Sequence, residues 1–152
     1  MSRFTSRTIG RWRKFRALSA LERSTFVQAA VLLPIVSLCL RVLGFRWCRA
    51  LWERPVAGRH HTTTTLDEAR ALAGGVRLAA AHGLHHPKCL PQSILLDWLL
   101  RRRGIESSLR LGSRMFEGQL QAHAWVDVAG EALESDGATA RTFIPFDIAA
   151  SA

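Results

Sequence analysis

Apolar positions along this chain change their period once, near residue 105. Before it they recur every three or four residues; after it they alternate. Ser19 to Glu22 reads S-x-x-E, a capping box, so a helix is predicted to begin near Ala20 and to carry the apolar run Phe26 to Leu40, FVQAAVLLPIVSLCL. Pro34 is expected to kink or divide it, and a second helical piece should run to about Trp52 and end near Pro55. The stretch 58–65, GRHHTTTT, reads as a loop or short extended segment. Thr65 can cap the next helix, with Glu68 three residues on; Leu66, Ala69, Leu72, Ala73, Val76, Ala79 and Ala80 form its apolar stripe to about Ala81, and Gly83 stops it. A third helix is predicted in HHPKCLPQSILLDWLLRRRG, residues 85–104. Pro91 suits its first turn, Ile94, Leu95, Trp98, Leu99 and Leu100 supply its apolar face, and Gly104 ends it.

Residues 106–112, ESSLRLG, alternate, and Gln119 to Val128, QLQAHAWVDV, alternate better. Leu120, Ala122, Ala124, Val126 and Val128 share one face; Gln121, His123, Trp125 and Asp127 share the other. Ala129-Gly130 makes a tight turn, after which Glu131 to Ser135 should return as a short strand. Helices first and an antiparallel sheet after give an α+β fold. We read residues 1–56 as a basic, apolar helical segment packed on the core or facing a partner, and 57–152 as the core, within one structural domain.

Charge and cysteine content refine this picture. Residues 1–54 carry 11 Lys/Arg and 2 Asp/Glu, whereas 55–152 carry 10 of each, so the whole excess of +9 lies in the first third. That third suits an acidic peptide, a partner protein or an anionic membrane surface, and residues 20–52 are a candidate for peripheral membrane contact. No nucleic-acid-binding motif accompanies the arginines, so no nucleic acid partner is expected. The apolar run is short for a bilayer span and no small-residue cleavage site follows it. Three cysteines, Cys39, Cys48 and Cys89, make no disulfide framework and fit a reducing cytoplasm.

Cys89 stands just before a predicted helix start, where the helix dipole and unpaired amides lower a thiol's pKa and can face an oxyanion. The same position also suits an ordinary structural cysteine. Six histidines could supply a base, and His123 alone lies within a clear strand, a rigid support. A base needs an orienting acceptor. Asp127 shares its face, but four residues of strand put it about 13 Å away. Pairing through Ala129-Gly130 brings Asp136 alongside His123, which makes Asp136 the better orienter. His82, His85, His86 and Cys89 fall in an H-x-x-H-H-x-x-C order that matches no standard zinc pattern, so no metal is expected.

Taken together, "KCLPQSILLDWLLRRRGIESSLRLGSR" and "AHAWVDVAGEAL" resemble the transglutaminase-like cysteine peptidases of lasso-peptide biosynthesis. The likeness covers about Leu66 to Asp136: a C-L-x-x-S helix ending in L-L-R-R-x-G, a strand with L-x-x-G, then H-A-W-V and a small turn. Gln92 departs from it, a basic residue being expected there. The resemblance implies a papain-like, transglutaminase-type core with Cys89 as nucleophile, His123 as base and Asp136 as orienting acid. It implies removal of the leader from a leader-core precursor peptide, with a separate leader-recognition protein and a separate ATP-dependent lasso cyclase as partners. No cofactor is implied. A transglutaminase-like acyltransferase and an inactive peptide-binding module are the alternatives.

Overall fold

The computed structural model describes residues 19–52, 66–83, 87–133 and 142–146. The 58–65 segment, His60, His61, His85, His86 and Asp136 lie outside them. Three helices come first: α1 (Ala20–Trp52), α2 (Leu66–His82) and α3 (Cys89–Arg102). Four strands follow: β1 (Ser108–Phe116), β2 (Gln119–Val128), β3 (Glu131–Ala132) and β4 (Ile144–Phe146). All pairings are antiparallel, in the spatial order β3-β2-β1-β4. The fold is α+β.

The capping box forms. Ser19 Oγ accepts the Glu22 amide at 3.1 Å, and the Glu22 carboxylate accepts the Ser19 amide at 2.8 Å. Helix α1 breaks at Gly44, not at Pro34 as the sequence led us to expect. Gly44 sits at φ 78°, which costs a residue without Cβ little. Pro34 is exposed, so the carbonyl its ring leaves unbonded can meet water. Gly104 closes α3 at φ 74°, with its amide bonded to Arg101 O and the Ile105 amide to Leu100 O. This is a Schellman end, and it drops buried Ile105 onto the core.

One continuous core joins Ala29, Leu33 and Val36 of α1, Leu72 and Val76 of α2, Leu95 and Leu100 of α3, and Val126 and Val128 of β2. Helices α1 and α2 approach closely because Gly75 faces Thr25: a Cβ there would lie 2.7 Å from Thr25 Cβ. The two hairpin turns have the same form. Glu117-Gly118 and Ala129-Gly130 both take positive φ at both residues, matching the twist of the strands they join.

Candidate active site

Cys89 is the first residue of α3, a free and half-buried thiol. Lys88 precedes it in extended conformation and offers no side-chain cap. The opening amides of α3 therefore lack a capping side chain at the positive end of the dipole. Pro91 fits the first turn because no N–H is needed there. Gln92 reaches back to donate to the Pro87 carbonyl at 2.8 Å, which fixes the chain entering the helix.

Ser93 lies four residues after Cys89, on the same face of α3 and one turn further along. Its hydroxyl is buried and donates to the Ala124 carbonyl of β2 at 2.9 Å. The direction of that carbonyl explains the arrangement. Val126 O accepts the Leu133 amide on the β3 side of β2, and carbonyls two residues apart point to the same edge. At Ala124 the bond on that edge comes from Ser93, in the second turn of α3. Helix and strand are thus joined one turn from Cys89 and one residue from His123.

His123 is half-buried on the face of β2 opposite the helices. This face is not open to solvent, contrary to its polar pattern: Trp125 and Phe143 are both buried there. The imidazole stacks on Trp125 at 6.1 Å and leans on Phe143 at 5.0 Å, so aromatic rings hold it on two sides. Gly112 pairs with His123 across β1 and β2. A Cβ on Gly112 would come within 2.9 Å of both the Trp125 ring and Ile144 O, so glycine makes room for the indole.

The structure also settles what Asp127 does. One of its oxygens accepts Trp125 Nε1–H at 3.0 Å, and the other faces Arg110 Nε at 3.4 Å. It braces the indole, four strand residues from His123. Asp136 lies outside the described residues. The described pairing of β2 with β3 covers Asp127↔Ala132 and Val128↔Glu131. The Trp125 indole N–H and the Gln92 amide are both engaged, on Asp127 and on the Pro87 carbonyl. His82 ends α2 and Cys89 begins α3, while His85 and His86 fall outside the described residues. Among the described residues no group of three or more His, Cys, Asp or Glu is placed to hold a metal ion.

Sequence reading missed Asp97 and Phe143, and gave Ser93 no role beyond its place in the C-L-x-x-S pattern. Ser93 carried a usable signal, a small polar residue on the apolar side of a predicted helix. Asp97 is buried in α3, accepts Ser107 Oγ–H at 2.7 Å and faces Arg101 at 3.5 Å. The arginine run after it is engaged. Arg103 pairs with Glu68 at 3.0 Å and Arg102 lies over the Trp98 ring at 4.7 Å.

Cys89 thus begins a helix that is tied, one turn on, to the strand carrying His123. The family model for the transglutaminase-like superfamily matches residues 29–146, most of the chain. The chain belongs to this superfamily. Its members are typically cysteine peptidases or acyltransferases, and this transglutaminase-like chain has the fold on which both chemistries run. Among curated proteins and solved structures, none matches it.

Proposed function

We propose that this transglutaminase-like protein is a cytoplasmic cysteine peptidase that removes the leader from a ribosomally made lasso-peptide precursor. The observation that supports the reading is the Ser93–Ala124 bond, which joins α3 one turn after Cys89 to β2 one residue before Trp125 and one after His123; that the two side chains meet is part of the proposal. The motif resemblance narrows the substrate to a leader-core peptide.

In this reading His123 takes the Cys89 proton, and the thiolate attacks the last carbonyl of the leader. The uncapped amides at the start of α3 receive the negative charge that develops on that oxygen. The C–N bond breaks as His123-H⁺ protonates the leaving amine, the N-terminus of the core peptide. Water, deprotonated by His123, hydrolyses the thioester, which frees the leader carboxylate and restores the thiol. Asp136 orients the imidazole. A separate recognition protein presents the leader, and a separate ATP-dependent cyclase consumes the freed amine.

The test is cleavage of the leader-core precursor with the recognition protein present, followed by mass spectrometry. Wild type should release the leader as a free acid, and Cys89→Ala or His123→Ala should lower the rate by more than about 10³-fold. Cleavage that survives Cys89→Ala overturns the reading. Transfer of the leader acyl group to an amine in place of water would make the protein an acyltransferase using the same residues.

A further inference from the structure

Helix α1 is apolar on two opposite sides, and only one of them is covered. Ala29, Leu33 and Val36 are at most 1% exposed, packed in the core with α2 and α3. On the other side Val27, Val31, Ile35, Leu38 and Val42 are 51–69% exposed. They follow one another at helical spacing along about 22 Å of the helix. Beyond the Gly44 break, Trp47 is 72% exposed and Leu51 50%. A single contiguous apolar face of this kind marks an interaction surface.

The charges around it decide what the surface meets. From residue 23 to residue 52 the sequence contains no Asp or Glu. Arg23, Arg41 and Arg46 are exposed. Arg23 and Arg41 are eighteen residues apart, five helical turns, so they flank the same edge of the stripe at its two ends. Residues 1–18 add further basic residues and no acidic one. A rim of one sign complements an anionic surface, and an exposed tryptophan at its end suits the boundary between headgroups and acyl chains.

By length and composition α1 is long and apolar enough to cross a membrane. In this fold it does not have the form of a span. The uncharged run 24–40 covers about 26 Å, short of the roughly 30 Å of a hydrocarbon core, and its inner face is held by the other helices. The geometry points to α1 lying flat on an anionic bilayer, with the outward stripe sunk into the acyl boundary and Arg23, Arg41 and Arg46 at the phosphates. The rest of the domain then stands on the membrane through α1, leaving Cys89 and β2 clear of it. This docking does not depend on the proposed catalysis.

The experiment is co-sedimentation of the full chain with phosphatidylcholine vesicles, with and without about one third phosphatidylglycerol. Wild type should pellet with the anionic vesicles and be released by high salt. Ile35→Ser/Leu38→Ser changes side chains already half or more exposed, so it should keep the near-UV circular dichroism and lose more than about tenfold in partition. Arg41→Gln and Arg46→Gln should each cost about fivefold on anionic vesicles and nothing on neutral ones. Wild type that stays in the supernatant overturns the inference, as does binding that the stripe variant leaves intact. A wild-type dimer that ignores vesicles and becomes monomeric in the stripe variant would give the face to a second copy, and would equally overturn it.

Discussion

Ser93→Ala tests the joint between the two halves of the site. Ser93 is 6% exposed, and its hydroxyl donates at 2.9 Å to a backbone carbonyl. Alanine removes the donor and leaves the Ala124 oxygen facing a gap too small to hydrate well. An unsatisfied buried acceptor of this kind costs about 1–3 kcal/mol. For a chain of 152 residues that is roughly 3 °C in Tm per kcal/mol, read by thermal or urea unfolding. The functional effect should exceed the stability effect. The bond sets how the N-terminal end of α3 sits on β2, and a shift of about 1 Å between reacting groups can cost about 10²-fold. Precursor cleavage should therefore fall 10- to 100-fold under conditions where the variant is fully folded, and iodoacetamide labelling of Cys89 near pH 6 should slow in parallel. A variant that loses the expected stability but labels and cleaves at the wild-type rate would show that the joint does not position the thiol.

Three further predictions follow from the same structure. Asp127→Asn should lower cleavage by less than about tenfold, because its carboxylate braces Trp125 and Arg110, whereas Asp136→Asn should lower it by about 10³-fold or more; equal losses would remove Asp136 as the orienting acid. Gly112→Ala should destabilise by about 1–3 kcal/mol and change tryptophan emission, since the new methyl drives into the Trp125 ring; an unchanged urea midpoint would contradict the close approach. Burial, aided by the Cys39 thiol, pushes the Cys48 thiol up to about 12 from 9.0. The folded state then keeps a proton that the unfolded chain has lost, so stability should be full below about pH 9 and decline as pH rises toward 12. Cys48→Ala should flatten that decline in urea midpoints measured across the range.

Local rules made much of this fold readable. The S-x-x-E box, the α2 stripe, the Gly104 stop and the alternation of β2 each act within a few residues, and each is present. Gly44 was harder. Proline is the stronger helix breaker in isolation, but Pro34 sits on the uncovered side, and it is the packing on either side of residue 44 that requires the chain to turn. The Glu117-Gly118 turn had its glycine, yet Glu is an unusual residue for positive φ and Arg114 to Phe116 interrupt the alternation. Strand β4 is three residues long and contains Pro145, too short for any period to show. At the site, Cys89 and His123 could be chosen from their local settings. Gly112 and Phe143 could not, because what they do depends on partners that only the folded chain brings near; Ser93 stood out on an apolar helix face, but its partner did not.

The Ser93–Ala124 bond also bears on the order in which the molecule can assemble. It closes 31 residues of chain. On one side of it are three helices, each packed on its neighbours in sequence; on the other is a hairpin closed by a two-residue turn. The hairpin closes through a two-residue turn, which is quick to form, and the bond that joins it to α3 belongs to the slower, longer-range contacts. Cys89 travels with the first half and His123 with the second. In the proposed reading a nascent or partly folded chain therefore carries an ordinary thiol, and reactivity at Cys89 becomes a clock for the last docking step.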